Sequence, residues 1–483
     1  MAAAAEFRVD TRPLWIVLLS RSRPFLLLVV GALLALAVGS GPPPEGLTVA
    51  GQKALAVFVL CAFYWVFHVL PLMITSLLAL VLLPLSGAMS TREAYALFGN
   101  EAVFFILGAF ILAACTIRSG LSTRVAVVVL RRFGTTPRLL LGSVLLLNAG
   151  MSFLMSEHAV AAMNFPIVLE IVAVLGLQPR RSSYGKALFL AMAWGSTIGG
   201  IATLLGGGRA PLALEILRHE TGQSFSFVGW SLPILPLVFA LLAVAYGLLL
   251  LFYPVDVTSV RAADEALEEK VLALGRVRGQ EWGVGAVVVL TFAAWVLLGE
   301  EFGLANVALA AVVALFVLRL VSWRDVEGYV NWGIVLMYGG AICLGSALYQ
   351  SGAARWLAER TVSRWAESGG EVVALLSLVA ILATETMSNS AVVAFLMPVS
   401  LGIAAEFGLD PRVMALTVAV PAGLAFTLPI GTPANAIAFS SGHLRMRDLA
   451  LPGIVLNVTA WILFNLVARW YWPWLGLEIG GGR

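Results

Sequence analysis

Two short polar clusters interrupt long apolar runs of the chain, and they repeat at a fixed distance. The first reads MSEHAV at 155–160 and the second reads MSNSAV at 387–392. A proline follows each cluster at the same interval, at Pro166 and Pro398, so 387 − 155 and 398 − 166 both equal 232. The chain therefore contains one unit twice.

The sequence around these clusters is too apolar for a soluble protein. Hydrophobic residues make up 60% of the 483 residues, charged residues only 12%, and the mean hydropathy is +0.96. A helix that crosses a bilayer core needs about 20 apolar residues, and runs of that length recur along the chain. Basic residues lie in short groups between these runs, as loop charges do, so the net charge of +3 does not indicate nucleic-acid binding. The chain is predicted to be an all-α polytopic membrane protein.

Eleven spans and two re-entrant hairpins are predicted from the apolar runs. The first span contains residues 25–38, which we interpret as an uncleaved helix rather than a secretory signal, because apolar sequence also extends back through Leu14. The hairpins lie at about 139–177 and 371–407, and basic residues flank both ends of the first one. Eleven crossings that start inside put the N-terminus in the cytoplasm and the C-terminus outside.

Four regions follow from these predictions. They are an N-terminal span and loop at 1–48, a first repeat at 49–253, a charged linker at 254–281 and a second repeat at 282–475. The linker is expected to form a cytoplasmic surface helix. Arg355, Arg360 and Arg364 fall outside on this count, whereas the equivalent residues of the first repeat fall inside. The two repeats are therefore expected to point in opposite directions, as in secondary transporters that bind substrate near the bilayer midplane.

The polar clusters have the chemistry of an ion site. Irregular backbone at membrane depth is tolerated only beside a protein cavity, so both hairpin tips are expected to face one. Each tip exposes the N-terminus of a helix, where free N–H groups and the helix dipole favour an anion. Carbonyls near Gly431 and Thr432, with the Asn435 side chain, offer oxygen ligands to a hard cation such as sodium.

A family resemblance rests on three motifs in a fixed order. They are STIGG at 196–200 with Thr203, TETMSNS at 384–390 ahead of Pro398, and GTPAN at 431–435. Together they resemble the divalent anion/sodium symporter family over roughly residues 50–475. That family carries dicarboxylates, tricarboxylates or sulfate. The resemblance implies a homodimer in the cytoplasmic (inner) membrane, in which a transport domain moves against a scaffold like an elevator and holds substrate between two sodium sites.

The candidate site residues combine this resemblance with the residue chemistry, and no catalytic residue is among them. The substrate-binding set is Ser156, Glu157, His158, Arg209, Ser388, Asn389, Ser390, Thr432 and Pro433. The second sodium site is assigned to Ser388, Asn389, Thr427, Gly431 and Asn435. The first sodium site is assigned to Ser156, Gly199 and Gly206. Glu385 resembles an acid of the family, and it either orients the hairpin backbone or binds the ion.

The first repeat departs from the family pattern at two places. Its tip has Glu157 and His158 where the family has Asn and Thr, and its helix break reads GGGRAP at 206–211 instead of a GTPPN-like motif. We therefore expect a rebuilt first sodium site, in which Arg209 acts as a fixed cation or binds the anion bidentately. Glu157 and His158 form either a proton-coupled pair or a structural ion pair without substrate contact. The alternative for Arg209 is a loop position at the membrane surface.

The leading functional hypothesis is a sodium-coupled secondary transporter of a small divalent anion, either a C4-dicarboxylate such as succinate or malate, or sulfate. An alternative is a sodium-independent exchanger or proton-coupled carrier in which Arg209 and His158 replace one sodium. A different class is a channel-like or cation-exporting hairpin transporter, but the polar residues concentrate at two tips and two breaks rather than along a pore. An enzyme is disfavoured because the sequence has no H-E-x-x-H or G-x-S-x-G motif.

Overall fold

The computed structural model describes residues 14–361, 366 and 368–480, and within them every regular element is helical. The first twelve helices are α1 (Leu14–Gly39), α2 (Val49–Val66), α3 (Leu72–Ser86), α4 (Thr91–Phe98), α5 (Glu101–Arg118), α6 (Leu121–Phe133), α7 (Pro137–Ser152), α8 (Glu157–Val174), α9 (Ser183–Gly199), α10 (Arg209–Thr221), α11 (Phe227–Ser231) and α12 (Leu235–Phe252).

The charged linker forms a helix of its own, α13 (Arg261–Leu274). After it come α14 (Gly279–Phe302), α15 (Leu304–Val317), α16 (Trp323–Val326), α17 (Trp332–Gln350), α18 (Ala353–Thr361), α19 (Gly369–Thr384), α20 (Asn389–Phe407), α21 (Pro411–Ala419), α22 (Pro433–Ser440) and α23 (Met446–Trp470). Short 3₁₀ turns lie at Glu327–Tyr329, Pro421–Gly423 and Trp472–Leu475.

Nine helices in the described part of the chain are long and apolar enough to cross a membrane, and three shorter apolar helices accompany them. Lipid offers no hydrogen bonds to backbone groups, so a helical architecture satisfies them within each segment. The predicted all-α polytopic class is confirmed. The exact count of eleven spans and their orientation stay predictions, and Arg364 lies outside the described residues.

The 232-residue shift extends from the two tips to whole helices. Five pairs of helices begin 232 positions apart: α3 and α15, α4 and α16, α6 and α18, α7 and α19, and α8 and α20. For example, α7 begins at Pro137 and α19 at Gly369, and 369 − 137 equals 232. The shift falls to 228 for α9 and α21, which begin at Ser183 and Pro411. The two units therefore diverge after their hairpins.

Each hairpin consists of two helices joined by a four-residue turn, at 153–156 in the first and at 385–388 in the second. A serine ends each turn and caps the following helix. The Oγ of Ser156 accepts the Ala159 N–H at 3.4 Å, and the Oγ of Ser388 accepts the Ala391 N–H at 3.2 Å. These caps satisfy N–H groups that the first turn of a helix leaves free, so the serines fix where each second arm begins.

The two interrupted spans differ from the sequence prediction. The apolar run at about 187–206 predicts a span, but α9 ends at Gly199, and the run at about 411–426 predicts a span, but α21 ends at Ala419. The helix breaks that follow, at 200–208 in the first half and 420–432 in the second, are therefore longer than the sequence indicates. The sequence after Gly208 predicts a more polar connection to about Ser231, and within it residues 209–221 form helix α10. Its charged end looked like a loop in the sequence, but Arg218 pairs with Glu101 on α5 at 2.5 Å.

Candidate functional site

The two hairpin tips and the two helix breaks line one cavity of about 830 Å³. All nine residues predicted to bind substrate lie on its wall: Ser156, Glu157, His158, Arg209, Ser388, Asn389, Ser390, Thr432 and Pro433. Of the predicted sodium ligands, Gly431 also lines the cavity, whereas Thr427, Asn435, Gly199 and Gly206 do not. Residues that are far apart in the chain therefore share one wall.

Four helix N-termini meet at this cavity. Helices α8, α10, α20 and α22 begin at Glu157, Arg209, Asn389 and Pro433, and each of these residues is on the cavity wall. The first N–H groups of a helix have no partner within it, and the dipole gives that end a partial positive charge. Four such ends around one cavity create a potential that favours an anion.

The two tips contact each other at equivalent positions of the repeat. The Asn389 Nδ2 donates to the Glu157 Oε1 at 3.0 Å, and the two residues are 232 positions apart. The Asn389 Oδ1 in turn accepts from the Thr384 Oγ1 at 2.9 Å. The Glu157 carboxylate of the first tip is therefore hydrogen-bonded to the Asn389 amide of the second tip.

Arg209 is a buried cation, with 2% of its surface exposed. Its Nη1 lies 3.4 Å from the Glu157 Oε2, and Glu157 itself is 5% exposed. The Nη2 has no hydrogen-bond partner among the described residues. The hypothesis of a surface loop position for Arg209 is therefore wrong. Arg209 is instead the first residue of the buried helix α10. The negative charge of Glu157 offsets part of the free-energy cost of burying its guanidinium.

Glycines leave the space in which this pair lies. A Cβ on Gly423 would come within 2.3 Å of the Arg209 Nε, and a Cβ on Gly207 would come within 2.6 Å of its Nη1. A Cβ on Gly200 would lie 2.8 Å from the Glu157 Oε2. Gly423 belongs to the break of the second half, so Arg209 reaches from one half of the molecule into the other.

The first-half break is also tied to the hairpin through its backbone. The Glu157 N–H donates to the Gly206 carbonyl at 2.9 Å, so this oxygen already has a donor. Gly199 is a packing residue, since a Cβ there would lie 2.2 Å from the Ala149 carbonyl oxygen. All three residues predicted for the first sodium site thus have protein contacts, because the Ser156 Oγ also accepts the Ala159 N–H.

The second-half break is held open by an acid. The Glu385 carboxylate accepts three successive backbone N–H groups, from Phe426 at 3.0 Å, Thr427 at 2.9 Å and Leu428 at 2.8 Å. The Asn457 Nδ2 adds a fourth donor at 2.6 Å and also donates to the Thr427 Oγ1 at 2.9 Å. Of the two roles considered for Glu385, the contacts favour orientation of the backbone.

Asn435 offers an oxygen to this break. Its Nδ2 donates to the carbonyls of Ala425 at 3.0 Å and Leu428 at 3.3 Å. Its Oδ1 is buried and has no donor in the described part of the chain. An unpaired buried amide oxygen is costly in an apolar interior and is the kind of ligand that sodium takes. Thr432 caps α22 through the Asn435 N–H at 3.2 Å, which fixes the start of that helix.

The ion pair considered between Glu157 and His158 is not formed, because Glu157 pairs with Arg209 instead. The His158 side chain is exposed on the cavity wall. Sequence reasoning also missed His68 and Asn331, which line the cavity from loops before α3 and α17, and Tyr329, which lies in the 3₁₀ turn before α17. Their local sequence carries no signal for this, because only the packing of these loops brings them to the site.

Comparison with known protein families identifies the family to which the chain belongs. The model of the sodium:sulfate symporter transmembrane region matches residues 22–478. The chain belongs to the sodium:sulfate symporter family. Relatives include the sodium-dependent dicarboxylate transporter SdcS of Staphylococcus saprophyticus, 28% identical over 90% of this chain and 89% of the relative. SdcS of Staphylococcus aureus strain MW2 is 29% identical over 94% of this chain and 92% of the relative.

Solved structures share the architecture of this family member. The Neisseria gonorrhoeae MtrF protein, of a class of antimetabolite efflux pumps, aligns with a TM-score of 0.55 at 14% identity, over 98% of this chain and 97% of MtrF. The Alcanivorax borkumensis YdaH transporter aligns with a TM-score of 0.54 at 15% identity, over 96% of this chain and 99% of YdaH. At these identities the likeness concerns the fold alone, and it is the fold of membrane transporters.

Proposed function

We propose that this symporter-family protein carries a small divalent anion, a C4-dicarboxylate or sulfate, across the membrane in a sodium-coupled cycle. The observation that carries the proposal is the convergence of four helix N-termini and the hairpin-tip hydroxyls on one cavity. The sodium-dependent dicarboxylate transporters among its relatives support the same substrate class.

In this proposal sodium binds at the second-half break. The Asn435 Oδ1 is buried without a donor, and the nearby carbonyls at Gly431 and the hydroxyl of Ser388 are oxygen ligands of the type that a hard cation takes. The first half instead contains Arg209, a buried side chain whose positive charge is a permanent part of the protein. The proposal is therefore one sodium site, at Ser388, Asn389, Gly431 and Asn435, and a fixed arginine at the position of the other. The Thr427 hydroxyl accepts from the Asn457 Nδ2 and keeps a second lone pair for a cation, so Thr427 belongs to the same proposed set.

The membrane arrangement proposed with it follows the family. It is a homodimer in the cytoplasmic membrane, with the N-terminus inside and the C-terminus outside, and the hairpins move with the substrate like an elevator. On the predicted count of crossings, the connections before α3 and before α17 lie inside. His68 and Tyr329 belong to these connections and line the cavity, so in this orientation it opens towards the cytoplasm.

A direct test is uptake of radiolabelled succinate and sulfate into proteoliposomes, with the sodium gradient, the proton gradient and internal anion varied separately. Uptake driven by inward sodium is expected. Uptake that requires internal anion and ignores sodium would overturn sodium coupling and identify the protein as an exchanger.

The matched variants are Asn389→Ala and Asn465→Ala. Asn389 bridges the tips, whereas Asn465 lies away from the cavity, where its Nδ2 donates to the Trp461 carbonyl on α23 and to the Ser377 Oγ on α19. Loss of the Asn389 amide is expected to reduce uptake at least about tenfold, the effect of losing one hydrogen bond of about 1.4 kcal/mol to a charged group. The Asn465 variant is expected to transport normally, and normal transport by the Asn389 variant would reject the site.

A further inference from the structure

Glu157 places a negative charge in a cavity whose other groups favour an anion. It lies on the cavity wall and is 5% exposed. The equivalent residue of the second repeat, 232 positions later, is the uncharged Asn389 on the same wall. A carboxylate repels the anionic groups of a substrate at short range. A site for a plain dianion therefore gains nothing from an acid at this tip.

The charges of the site favour a substrate with one net negative charge. Glu157 and Arg209 form an ion pair, with the Glu157 Oε2 at 3.4 Å from the Arg209 Nη1, and their charges sum to zero. The single sodium proposed above adds one positive charge. A dianion such as succinate would then leave one negative charge without compensation in a low dielectric, whereas a substrate with one net negative charge brings the sum to zero.

A second sodium ion would also balance a dianion, but the residues predicted to bind it are engaged in protein contacts. The Ser156 Oγ caps α8, the Gly206 carbonyl accepts a backbone N–H, and Gly199 packs against α7. Arg209 already supplies a buried positive charge on this side of the cavity. The remaining way to balance the charges lies in the substrate itself.

The helix N-termini nevertheless provide for two carboxylate groups. Helices α8 and α10 of the first half and α20 and α22 of the second half all begin on the cavity wall. Each half therefore presents one pair of partial positive charges to the cavity. A substrate that has two carboxylates and one net negative charge must also carry a cationic group.

We propose that the substrate is an amino-dicarboxylate, a C4 diacid with an ammonium group on the carbon next to one carboxylate, and that Glu157 binds this ammonium. Aspartate is the simplest molecule of this class. The inference rests on the function proposed above and names its substrate more narrowly.

The Glu157 carboxylate has acceptor sites left for an ammonium. A carboxylate has about four lone-pair sites. Within the described part of the chain, Oε1 accepts from the Asn389 Nδ2 at 3.0 Å and Oε2 from the Arg209 Nη1 at 3.4 Å, so each oxygen keeps one site. The contact with Asn389 places the carboxylate where the two tips meet. The ammonium of an amino-dicarboxylate likewise lies on the carbon chain between its two carboxylates.

Arg209 supplies the complementary donor. Its Nη2 is buried and has no hydrogen-bond partner among the described residues. A guanidinium favours a carboxylate as its partner. The ion pair of Glu157 and Arg209 thus offers an acceptor to the ammonium and a donor to a carboxylate of the same substrate.

The first test compares ligands that differ at one carbon. Malate has a hydroxyl group where aspartate has its ammonium. Sodium-driven uptake of each radiolabelled anion into proteoliposomes is measured at one neutral pH, with unlabelled aspartate, malate, succinate or sulfate as competitor. We expect aspartate to compete at a concentration at least about tenfold lower than malate, the effect of losing a hydrogen bond to a charged group. Equal or stronger competition by malate would overturn the assignment.

Glu157→Gln removes the charge and keeps the shape of the side chain. Arg209 and one sodium then balance a dianion, so we expect the preference to reverse: aspartate affinity should fall at least about tenfold, and malate affinity should rise. An unchanged order of ligands would reject Glu157 as the ammonium site. The wild-type comparison decides the substrate class even if this variant does not fold.

The matched control is Glu281→Gln. Glu281 is also a buried acid, 4% exposed, and pairs with Arg124 at 2.5 Å, but it does not line the cavity. This variant is expected to keep the wild-type order of ligands. A reversal in both variants would show that the order does not depend on the charge at the hairpin tip, and would also overturn the assignment.

The result separates this inference from the function on which it rests. Sodium-driven uptake of malate, succinate or sulfate without competition by aspartate would retain the transporter and reject the amino-dicarboxylate. No sodium-driven uptake of any of these anions, by monodisperse protein that unfolds cooperatively on heating, would reject the proposed function itself.

Discussion

Single residues make the two halves of this cavity chemically different, although they come from one repeated unit. At equivalent positions of the two repeats stand Glu157 and Asn389, an acid and an amide that hydrogen-bond to each other. The acid brings in a compensating cation, and Arg209 reaches it only because Gly207 and Gly423 have no side chains. One substitution within a repeated motif thus requires a matching arginine and open space in both halves.

Gly423→Ala tests this dependence at the residue scale. The added methyl would come within 2.3 Å of the Arg209 Nε and 2.5 Å of its Cζ, so the guanidinium must move away from Glu157. Because an unpaired buried carboxylate is unfavourable, we expect a lower Tm and at least about tenfold slower anion uptake. Gly247→Ala is the matched control, since nothing lies within 4 Å of a Cβ there. Equal uptake by the two variants would contradict the conclusion that Gly423 leaves space for the Arg209 guanidinium.

At the scale of elements, different contacts hold the two helix breaks in their irregular conformations. In the first half, the break is held by the hairpin, through the Glu157 N–H bond to the Gly206 carbonyl. In the second half, Glu385 in the hairpin turn accepts hydrogen bonds from the N–H groups of residues 426–428 and so fixes the conformation of this segment. The Asn435 side chain contacts this backbone, and its Oδ1, which has no donor among the described residues, is then available to a cation.

Glu385→Gln is the prediction at the element scale. An amide keeps the side-chain shape but replaces one acceptor oxygen with an NH₂ group, which cannot accept any of these backbone N–H groups. We expect the half-saturating sodium concentration to rise about tenfold, as for the loss of a charged hydrogen bond of about 1.4 kcal/mol. Anion affinity at saturating sodium should change little. A variant with unaltered sodium dependence would show that Glu385 does not shape the cation site.

At the scale of the whole molecule, α10 joins the cavity to a distant polar cluster. It begins with Arg209 at the cavity and ends near α5, where Arg218 pairs with Glu101 at 2.5 Å and the Asn100 Nδ2 donates to the Glu215 Oε1 at 2.6 Å. In the elevator motion proposed above, the hairpins and α10 move against α5, so these contacts hold the arrangement in which the cavity opens towards the cytoplasm.

Arg218→Ala is expected to shift the molecule away from this arrangement. A partly exposed ion pair contributes about 1 kcal/mol at most, so the ratio of the two arrangements should change by up to about fivefold. The measurement is thiol labelling of Ile430→Cys, an exposed cavity residue, whose rate should fall in the Arg218 variant. Cys61, Cys115 and Cys343 are buried and add little background.

The control for this shift is Arg261→Ala. Arg261 pairs with Glu265 within α13, so its loss breaks an ion pair without separating two elements. Labelling at Ile430→Cys should then keep its original rate. If the Arg218 and Arg261 variants label alike, the contacts between α10 and α5 do not influence the arrangement.

The amino-acid sequence determined the repeat, the helical class, the two hairpins and the residues at their tips. These features depend on local terms: apolar length sets the spans, and a serine in front of a helix sets where the second arm starts. Only the tertiary structure decided that residues 209–221 form a buried helix, that Glu385 binds the second break and that Glu157 pairs with Arg209 rather than with its neighbour His158. These outcomes depend on groups 41 to 232 positions apart in the chain, such as Glu385 with Phe426 and Glu157 with Asn389. Burial makes each unpaired charge or N–H group costly, so the packing of remote elements, and not the adjacent sequence, selects its partner.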